Sequence, residues 1–313
     1  MTYTVGQGIR EQGREGWLVI PAVLSLGLAE FQAELINIWH GTYSVFGVVF
    51  YLSNLAYTVL VTSTAVLLLR RLLLSIQRQR QMALDVKQAQ EVQQVLIPKE
   101  QPPIPGLRIE TVYRPAREVS GDFFQIVQHP TNGSALIVAG DVAGKGLKAG
   151  MLVALLVGAI RTATDTSIDP EFVLGALNRR LTRRGDAQAT CLALQIGVDG
   201  EMVIANAGHL PPYLNGKPVH MEGALPLGIT EVAEPSVLRL QLQPGDSLLL
   251  ISDGIVEATN TEGHLFGFER IDELLHSAIT ASDLATAAQD FGQEDDISVI
   301  SVTRTAVLEP AGG

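Results

Sequence analysis

The chain of 313 residues contains a single cysteine, Cys191, and few aromatic residues. One thiol excludes an intramolecular disulfide framework, and it also excludes zinc or iron–sulfur sites built on several thiolates. Basic residues are also scarce, 22 against 33 acidic ones, which argues against a nucleic-acid-binding protein. Because 47% of the residues are hydrophobic, the chain is not a largely disordered one.

Charge is absent from one long stretch, since residues 35–69 contain no Asp, Glu, Lys or Arg. Within it, residues 44–69 are dominated by Val, Leu, Phe and Ala, and as a helix they would extend about 39 Å. This length predicts a transmembrane helix over 44–69, because buried core helices are usually shorter. The basic residues that follow are Arg70, Arg71, Arg78, Arg80 and Lys87, against only Arg10 and Arg14 before it. The positive-inside rule therefore predicts that everything after residue 70 is cytoplasmic.

The segments on either side of the span allow several interpretations. The N-terminal segment, 1–43, holds a shorter apolar run at 16–29, which fits an interfacial helix, a strained first span or a signal-anchor remnant. Residues 70–98 predict a linker helix with apolar residues at a mean spacing of 3.5, namely Met82, Val86, Ala89, Val92 and Leu96. This stripe fits either a helix packed on the next domain or a coiled coil that pairs two copies into a homodimer.

Charge and pattern change after the linker. Residues 1–100 hold 8 basic and 7 acidic residues, whereas residues 101–313 hold 14 and 26. Prolines from Pro98 to Pro105 end the helix and mark the start of a domain over 99–305, followed by a tail at 306–313. Short apolar or alternating runs predict strands at 108–113, 135–139, 191–198, 202–205, 237–242, 247–251 and 297–302. Helical segments come in pairs, 148–163 with 170–184 and 269–279 with 282–291, so we expect an α+β domain of antiparallel sheets covered by helices.

Four aspartates stand where predicted strands meet loops: Asp122, Asp141, Asp253 and Asp295. Taken singly, each fits a turn or capping residue. Together, with three of them beside glycine, they predict a shared cation site. Oxygen ligands favour Mg²⁺ or Mn²⁺, and two such ions can hold a bridging water and direct it at a phosphate ester.

The motifs around these aspartates occur in a specific order: EVQQVLIP, YRPAREVSGDFF, GDVAGKG, NAGHLPPYL, LPLG, PGDSLLLISDGIVEATN, FGFERI and DDISVI. Over residues 91–302 the chain resembles the bacterial PPM (PP2C-like) serine/threonine phosphatases, in the branch that regulates sigma factors. The resemblance implies an αββα sandwich with two Mn²⁺ or Mg²⁺ ions. It also implies hydrolysis of phosphoserine or phosphothreonine by a metal-bridging hydroxide. The implied substrate is a phosphorylated regulatory protein of the anti-sigma-factor-antagonist type. Together with the predicted span at 44–69, a bacterial source predicts a location in the inner membrane, with the phosphatase domain in the cytoplasm.

The same resemblance assigns roles to residues. The metal ligands would be Asp122, Asp141, the backbone carbonyl of Val142, Asp253 and Asp295. Asp122 and Asp141 would be central to catalysis, with Asp141 bridging the ions. Lys145 fits either a contact to substrate phosphate or a solvated loop charge, and His209 is interpreted as structural. Gln125 departs from the family, which commonly has an acidic residue there. The alternative function is a catalytically weak module that uses the same fold to bind a signalling partner.

Overall fold

The computed structural model describes residues 42–96, 103–116, 119–277 and 279–305, together with the isolated residues 24, 27 and 31. The chain divides into two compact units, Met1–Leu84 and Asp85–Gly313. Apart from Leu24 and Gly27, the apolar run at 16–29 lies outside the described residues, as does the tail at 306–313. The alternatives for that run therefore stay predictions.

The first described elements correct the predicted start of the membrane helix. Residues predicted as helix from 44 instead begin with a hairpin of β1 (Thr42–Val45) and β2 (Val48–Tyr51), and α1 (Leu52–Leu96) starts eight residues later than predicted. The reason is local. Phe46 and Gly47 both have positive φ, 53° and 79°, as a two-residue hairpin turn requires, and β2 consists of β-branched and aromatic residues.

The apolar part of α1 still suits a membrane. Its uncharged residues, 52–69, extend about 27 Å, which is close to the thickness of a hydrocarbon core. Two described helices are long and apolar enough to cross a membrane, Tyr57–Met82 and Leu147–Thr164. None of the first is buried, whereas 44% of the second is buried. Partial burial identifies the second as a packed helix of a folded domain.

The second unit is built on two five-stranded antiparallel sheets. In spatial order, the first sheet contains β10 (Ser236–Gln241), β7 (Glu201–Ala207), β6 (Ala189–Ile196), β5 (Ala135–Val142) and β4 (Asp122–Gln128). The second contains β3 (Leu107–Arg114), β12 (Ile297–Arg304), β11 (Ser247–Ile251), β8 (Tyr213–Leu214) and β9 (Lys217–Pro218). The predicted strands are all found, and β4, β8 and β9 are additional. β4 was missed because its residues are buried on both faces and do not alternate.

Helices cover the outer faces of both sheets. The helices are α2 (Leu147–Thr164), α3 (Pro170–Thr182), α4 (Asp253–Val256), α5 (Gly267–His276) and α6 (Ala281–Gly292). One buried cluster joins α2 and α3 to the first sheet, a second fills the space between the sheets, and a third joins the second sheet to α4–α6. This is the expected αββα sandwich.

The single cysteine belongs to the helix-covered face of the first sheet. Cys191 is fully buried with α2 and α3, while its neighbour Leu192 points into the space between the sheets. Burial raises the pKa of its thiol well above the usual range. Cys191 is therefore a core residue, as its apolar sequence context indicates.

Candidate metal centre

Strand register brings the first two aspartates together. Asp122 opens β4 and Asp141 lies near the end of β5, and these two residues are direct cross-strand partners. Side chains alternate between the two faces of a strand, so Asp141 lies on the same face of β5 as Ile137 and Ala139, whose side chains lie between the sheets. Both carboxylates therefore project from the first sheet into one end of the space between the sheets. Asp122 is the first residue of a strand that was not among those predicted from the sequence.

The second sheet supplies the remaining aspartates. Asp253 begins the short helix α4 directly after β11, and Asp295 precedes β12. Carboxylate oxygens of Asp122, Asp141 and Asp253 all lie within 4.8 Å of one another. Three of the four predicted carboxylate ligands thus converge from opposite sheets, although they are up to 131 positions apart in the sequence.

Asp295 and Lys145 lie at the edge of this cluster. The Lys145 Nζ donates to Asp295 Oδ2 at 2.7 Å, and both residues line a small cavity with Asp141, Val142 and Gly121. Lys145 lies four residues after Asp141, in the β5–α2 loop, and this loop therefore places a positively charged side chain next to the carboxylates. The sequence left open whether Lys145 contacts substrate phosphate or is a solvated loop charge, and the structure shows it paired with Asp295 at the edge of the cluster.

Burial and mutual repulsion shift the protonation of the carboxylates. Burial is the largest cause in each case. It raises the pKa of Asp141 to about 7, with further contributions from Asp253 and Asp295. The pKa of Asp122 is raised well above its usual range, although a hydrogen bond from Ser298 opposes the shift. The pKa of Asp253 is raised as well, by burial and then by Glu257.

The donor set fits a hard divalent cation. Carboxylate and carbonyl oxygens are the ligands that Mg²⁺ and Mn²⁺ prefer, and a cation would relieve the repulsion that raises these pKa values. A Cβ at Gly121 would collide with Asp141 Oδ1 and would lie 3.0 Å from the Val142 carbonyl oxygen. Because Gly121 has no side chain, the space beside Asp141 Oδ1 and the Val142 carbonyl oxygen, two of the predicted ligand atoms, stays open.

The cluster has a hydrogen-bonded support that was not predicted from the sequence. Ser298 Oγ donates to Asp122 Oδ2 at 2.5 Å, and this bond links the two sheets. The Asp296 carboxylate is buried and accepts from the backbone N–H groups of Ala116 and Gly121 at 2.8 and 3.0 Å. Both residues belong to the motif DDISVI, where alternation around Ile297 could have shown which side chains face the first sheet.

A second missed contact comes from the end of α1. The buried Gln93 side chain donates through Nε2 to the Ser120 carbonyl at 2.7 Å, and its Oε1 accepts from the Ser120 N–H at 3.0 Å. Ser120 is two residues before Asp122. The spacing of Gln93 could have shown that it packs against the domain. It lies four residues after Ala89 and three before Leu96, on the apolar stripe of the helix.

We expect Gln93→Ala to destabilise the protein and weaken metal binding. The substitution leaves the N–H and the carbonyl of buried Ser120 unpaired, at a cost of about 1–3 kcal/mol for each group. Thermal unfolding with and without Mn²⁺ measures both effects. The control is Gln88→Ala, which removes an exposed side chain from the same helix. Equal unfolding temperatures and equal Mn²⁺ affinities for the two variants would show that this contact does not support the site.

His209 lies beside the cluster, because it lines a cavity with Asp122 and Ser298 and its ring contacts Thr190, the cross-strand partner of Asp141. The Asn206 side chain is bonded to both backbone groups of His209, whose ring lies 3.0 Å from Thr190 Oγ1. Burial lowers the pKa of His209 to about 4, so the ring is neutral at pH 7, which supports the structural interpretation.

Gln125 is buried and accepts from Arg161 of α2 at 3.4 Å, on the face of β4 opposite Asp122. The missing acidic group therefore does not face the cluster.

Comparison with known proteins identifies relatives over this same region. The sequence model of the family described as Stage II sporulation protein E (SpoIIE) matches residues 131–305. The phosphoserine phosphatase RsbU of Bacillus subtilis is 28% identical over 246 residues, which cover 72% of this chain and 72% of that protein. Protein IcfG of Synechocystis is 26% identical over 265 residues, which cover 71% of this chain and 42% of that protein.

Solved structures share the fold. The structure of the RsbU and RsbW domains of Rv1364c from Mycobacterium tuberculosis superposes with a TM-score of 0.57 at 25% identity, covering 66% of this chain and 62% of that one. The SiaA PP2C domain of Pseudomonas aeruginosa superposes with a TM-score of 0.62 at 21% identity, covering 72% and 97%. The second likeness concerns the fold alone. Since the family match covers more than half of the chain, the protein belongs to the SpoIIE family of PP2C-type serine/threonine phosphatases.

Proposed function

We propose that this protein is a membrane-anchored, Mn²⁺- or Mg²⁺-dependent phosphatase that removes phosphate from serine or threonine of a regulatory protein. The observation that carries the proposal is the convergence of Asp122, Asp141 and Asp253 at one end of the sandwich. Structural carboxylates are normally separated or paired with cations, whereas these three repel one another. Such repulsion is expected where a bound cation is part of the working state.

The residues proposed to hold two divalent ions are Asp122, Asp141, the Val142 carbonyl, Asp253 and Asp295. Bound there, such ions lower the pKa of water and neutralise phosphoryl oxygens. Other side chains of the protein hold the proposed ligands in position. Ser298 occupies one oxygen of Asp122 and leaves the other free, and Asp296 fixes the loop that carries Gly121. Lys145, whose Nζ donates to Asp295 Oδ2 at the edge of the cluster, is proposed to meet a phosphoryl oxygen of the substrate.

Side-chain nucleophiles are poorly placed for the alternative of a covalent phosphoenzyme. Cys191 is fully buried on the other face of the first sheet, and the ring of the neutral His209 is already in contact with Thr190 Oγ1 at 3.0 Å. We therefore propose that water attacks phosphorus directly. The P–O bond to the serine or threonine breaks, and the products are the free hydroxyl and inorganic phosphate.

The proposed substrate is a phosphorylated regulator of the anti-sigma-factor-antagonist type. The resemblance of the ordered motifs to the sigma-factor-regulating branch supports this class, and the relative RsbU is named as a phosphoserine phosphatase. The proposed location is the bacterial inner membrane, with α1 anchoring a cytoplasmic phosphatase domain. The apolar residues 52–69 and the basic residues that follow support that orientation. Pairing of two copies through the linker helix stays a prediction.

The test is phosphate release by the full-length protein in detergent micelles. With a phosphoserine peptide and Mn²⁺ we expect steady hydrolysis, which falls to background with EDTA and returns when Mn²⁺ is added in excess. Loss and recovery follow because the carboxylates bind substrate phosphate only through a cation. Equal rates with Mn²⁺ and with EDTA would contradict the mechanism. No hydrolysis under any metal condition, with partner binding retained, would favour the catalytically weak binding module instead.

A further inference from the structure

A cluster of positive charge stands out on an acidic domain. Four exposed arginines lie within six residues at the end of α3, and we call them the arginine surface: Arg179, Arg180, Arg183 and Arg184. Residues 101–313 hold 14 basic and 26 acidic residues in total, so the arginine surface contains more than a quarter of the basic residues of this region. Asp186 is the only acidic residue between 179 and 186.

The arginine surface lies at the same end of the domain as the loop at 143–146 between β5 and α2, which we call the metal loop. Helices α2 and α3 form a hairpin joined by residues 165–169, so the end of α3 runs back towards the start of α2. The loop after α3 then contacts the metal loop directly, because the Gln188 carbonyl accepts a hydrogen bond of 2.9 Å from the Ala143 N–H. Ala143 is two residues after Asp141.

Stabilisation of the end of α3 accounts for only two of these four arginines. Basic residues in the last turn interact favourably with the carbonyl end of a helix, which accounts for Arg179 and Arg180. Arg183 and Arg184 lie beyond the last helical residue. Among the residues that the structure describes, none of the four arginines forms an ion pair. Guanidinium groups keep their charge at any physiological pH and bind carboxylates in a bidentate geometry.

We infer that the arginine surface binds an acidic segment of the phosphoprotein substrate, next to the phosphorylated residue. The inference rests on the proposed function and adds to it a preference for acidic residues near the phosphoserine or phosphothreonine. The overall negative charge of the domain repels an acidic partner, so attraction has to be local. The arginine surface provides that attraction beside the site where the phosphate must enter.

The experiment compares two phosphoserine peptides that differ only in their flanks, glutamate in one and glutamine in the other. Full-length protein in detergent with Mn²⁺ is assayed as the parent, as R183E/R184E, and as the control K217E/R239E. The control makes the same change in net charge at two exposed residues elsewhere in the domain, on β9 and β10. For R183E/R184E we expect kcat/KM on the glutamate peptide to fall about tenfold through KM, because opposed charges at an interface repel. Hydrolysis of the glutamine peptide and of p-nitrophenyl phosphate should be unchanged, and the control should match the parent.

Binding provides a readout that does not need catalysis. Fluorescence anisotropy of the labelled glutamate peptide should show weaker binding to R183E/R184E than to the parent, and the difference should shrink at high salt. If the parent binds this peptide selectively but hydrolyses no substrate with Mn²⁺, the proposed function fails while the docking inference stands. If the parent treats both peptides alike, or if the variant loses activity equally on all substrates, the inference is overturned. It is also overturned if the variant instead loses binding to phosphatidylserine vesicles and keeps its peptide preference, because the surface would then face the membrane.

Discussion

Asp141→Asn is expected to lower phosphatase activity about a thousandfold, because a lost metal contact removes several kcal/mol of transition-state stabilisation and about 1.4 kcal/mol corresponds to a factor of ten. The metal-free protein should nevertheless be as stable as the parent, or slightly more stable. The substitution removes a charge that faces Asp122 across the strand pair and lies near Asp253. Like charges in direct opposition destabilise a sheet, and an amide relieves that repulsion.

Thermal unfolding with and without Mn²⁺ separates these two effects. The parent should gain about 2.7 kcal/mol at a hundredfold excess of Mn²⁺ over Kd, and the variant should gain much less. Asp165→Asn, at an exposed position after α2, controls for the loss of one negative charge. If metal-free Asp141→Asn were several kcal/mol less stable than the parent, Asp141 would be a structural hydrogen-bonding residue, and its role as a ligand would have to be withdrawn.

Mn²⁺ affinity is expected to rise steeply as the pH increases from 5 to 7. Burial holds the pKa of Asp141 at about 7 and also raises those of Asp122 and Asp253. Ligands must be deprotonated before they bind metal, so each proton displaced makes the affinity about tenfold stronger per pH unit below the pKa. Calorimetric titration at several pH values, in buffers of different ionisation enthalpy, measures both the affinity and the number of protons released. A flat affinity over this range would contradict the raised pKa values.

The same shift fixes the sign of the stability change in the metal-free protein. A carboxyl group whose pKa is raised by folding binds its proton more tightly in the folded state than in the unfolded one. The contribution of Asp141 to the free energy of unfolding should therefore fall as the pH rises from about 4, the unfolded value, to about 7. Because an asparagine side chain does not titrate, the fall in the Asp141→Asn variant should be smaller by the contribution of one proton.

Much of the sandwich could be predicted because its elements carry local signals. Apolar runs that end at Gly, Pro or Asp locate the strands, and paired amphipathic segments locate the helices. The hairpin at 42–51 was missed because its residues are as apolar as the helix that follows, and composition does not separate strand from helix in such a run. The start of β4 at Asp122 was missed for a related reason, since burial on both faces removes the alternation.

The aspartates of the site could be selected from sequence, but their supports could not. Each carboxylate stands at a strand end, so position alone made Asp122, Asp141 and Asp253 candidates. Ser298 and Gln93 act through contacts with residues 176 and 27 positions away in the chain. A serine in a strand and a glutamine in a helix have no unusual local pattern. Only the packing of the two sheets, and of the end of α1 on the domain, gives these side chains a role.

The burial of Cys191 makes the protein suitable for site-specific labelling without prior removal of its native thiol. Maleimides react with thiolates, and this thiol is inaccessible to solvent and has a raised pKa. A cysteine introduced at exposed Gln88 of α1 would therefore be the reactive one in the chain. A fluorophore or spin label there could follow the linker helix during turnover, in a protein whose core is otherwise unchanged.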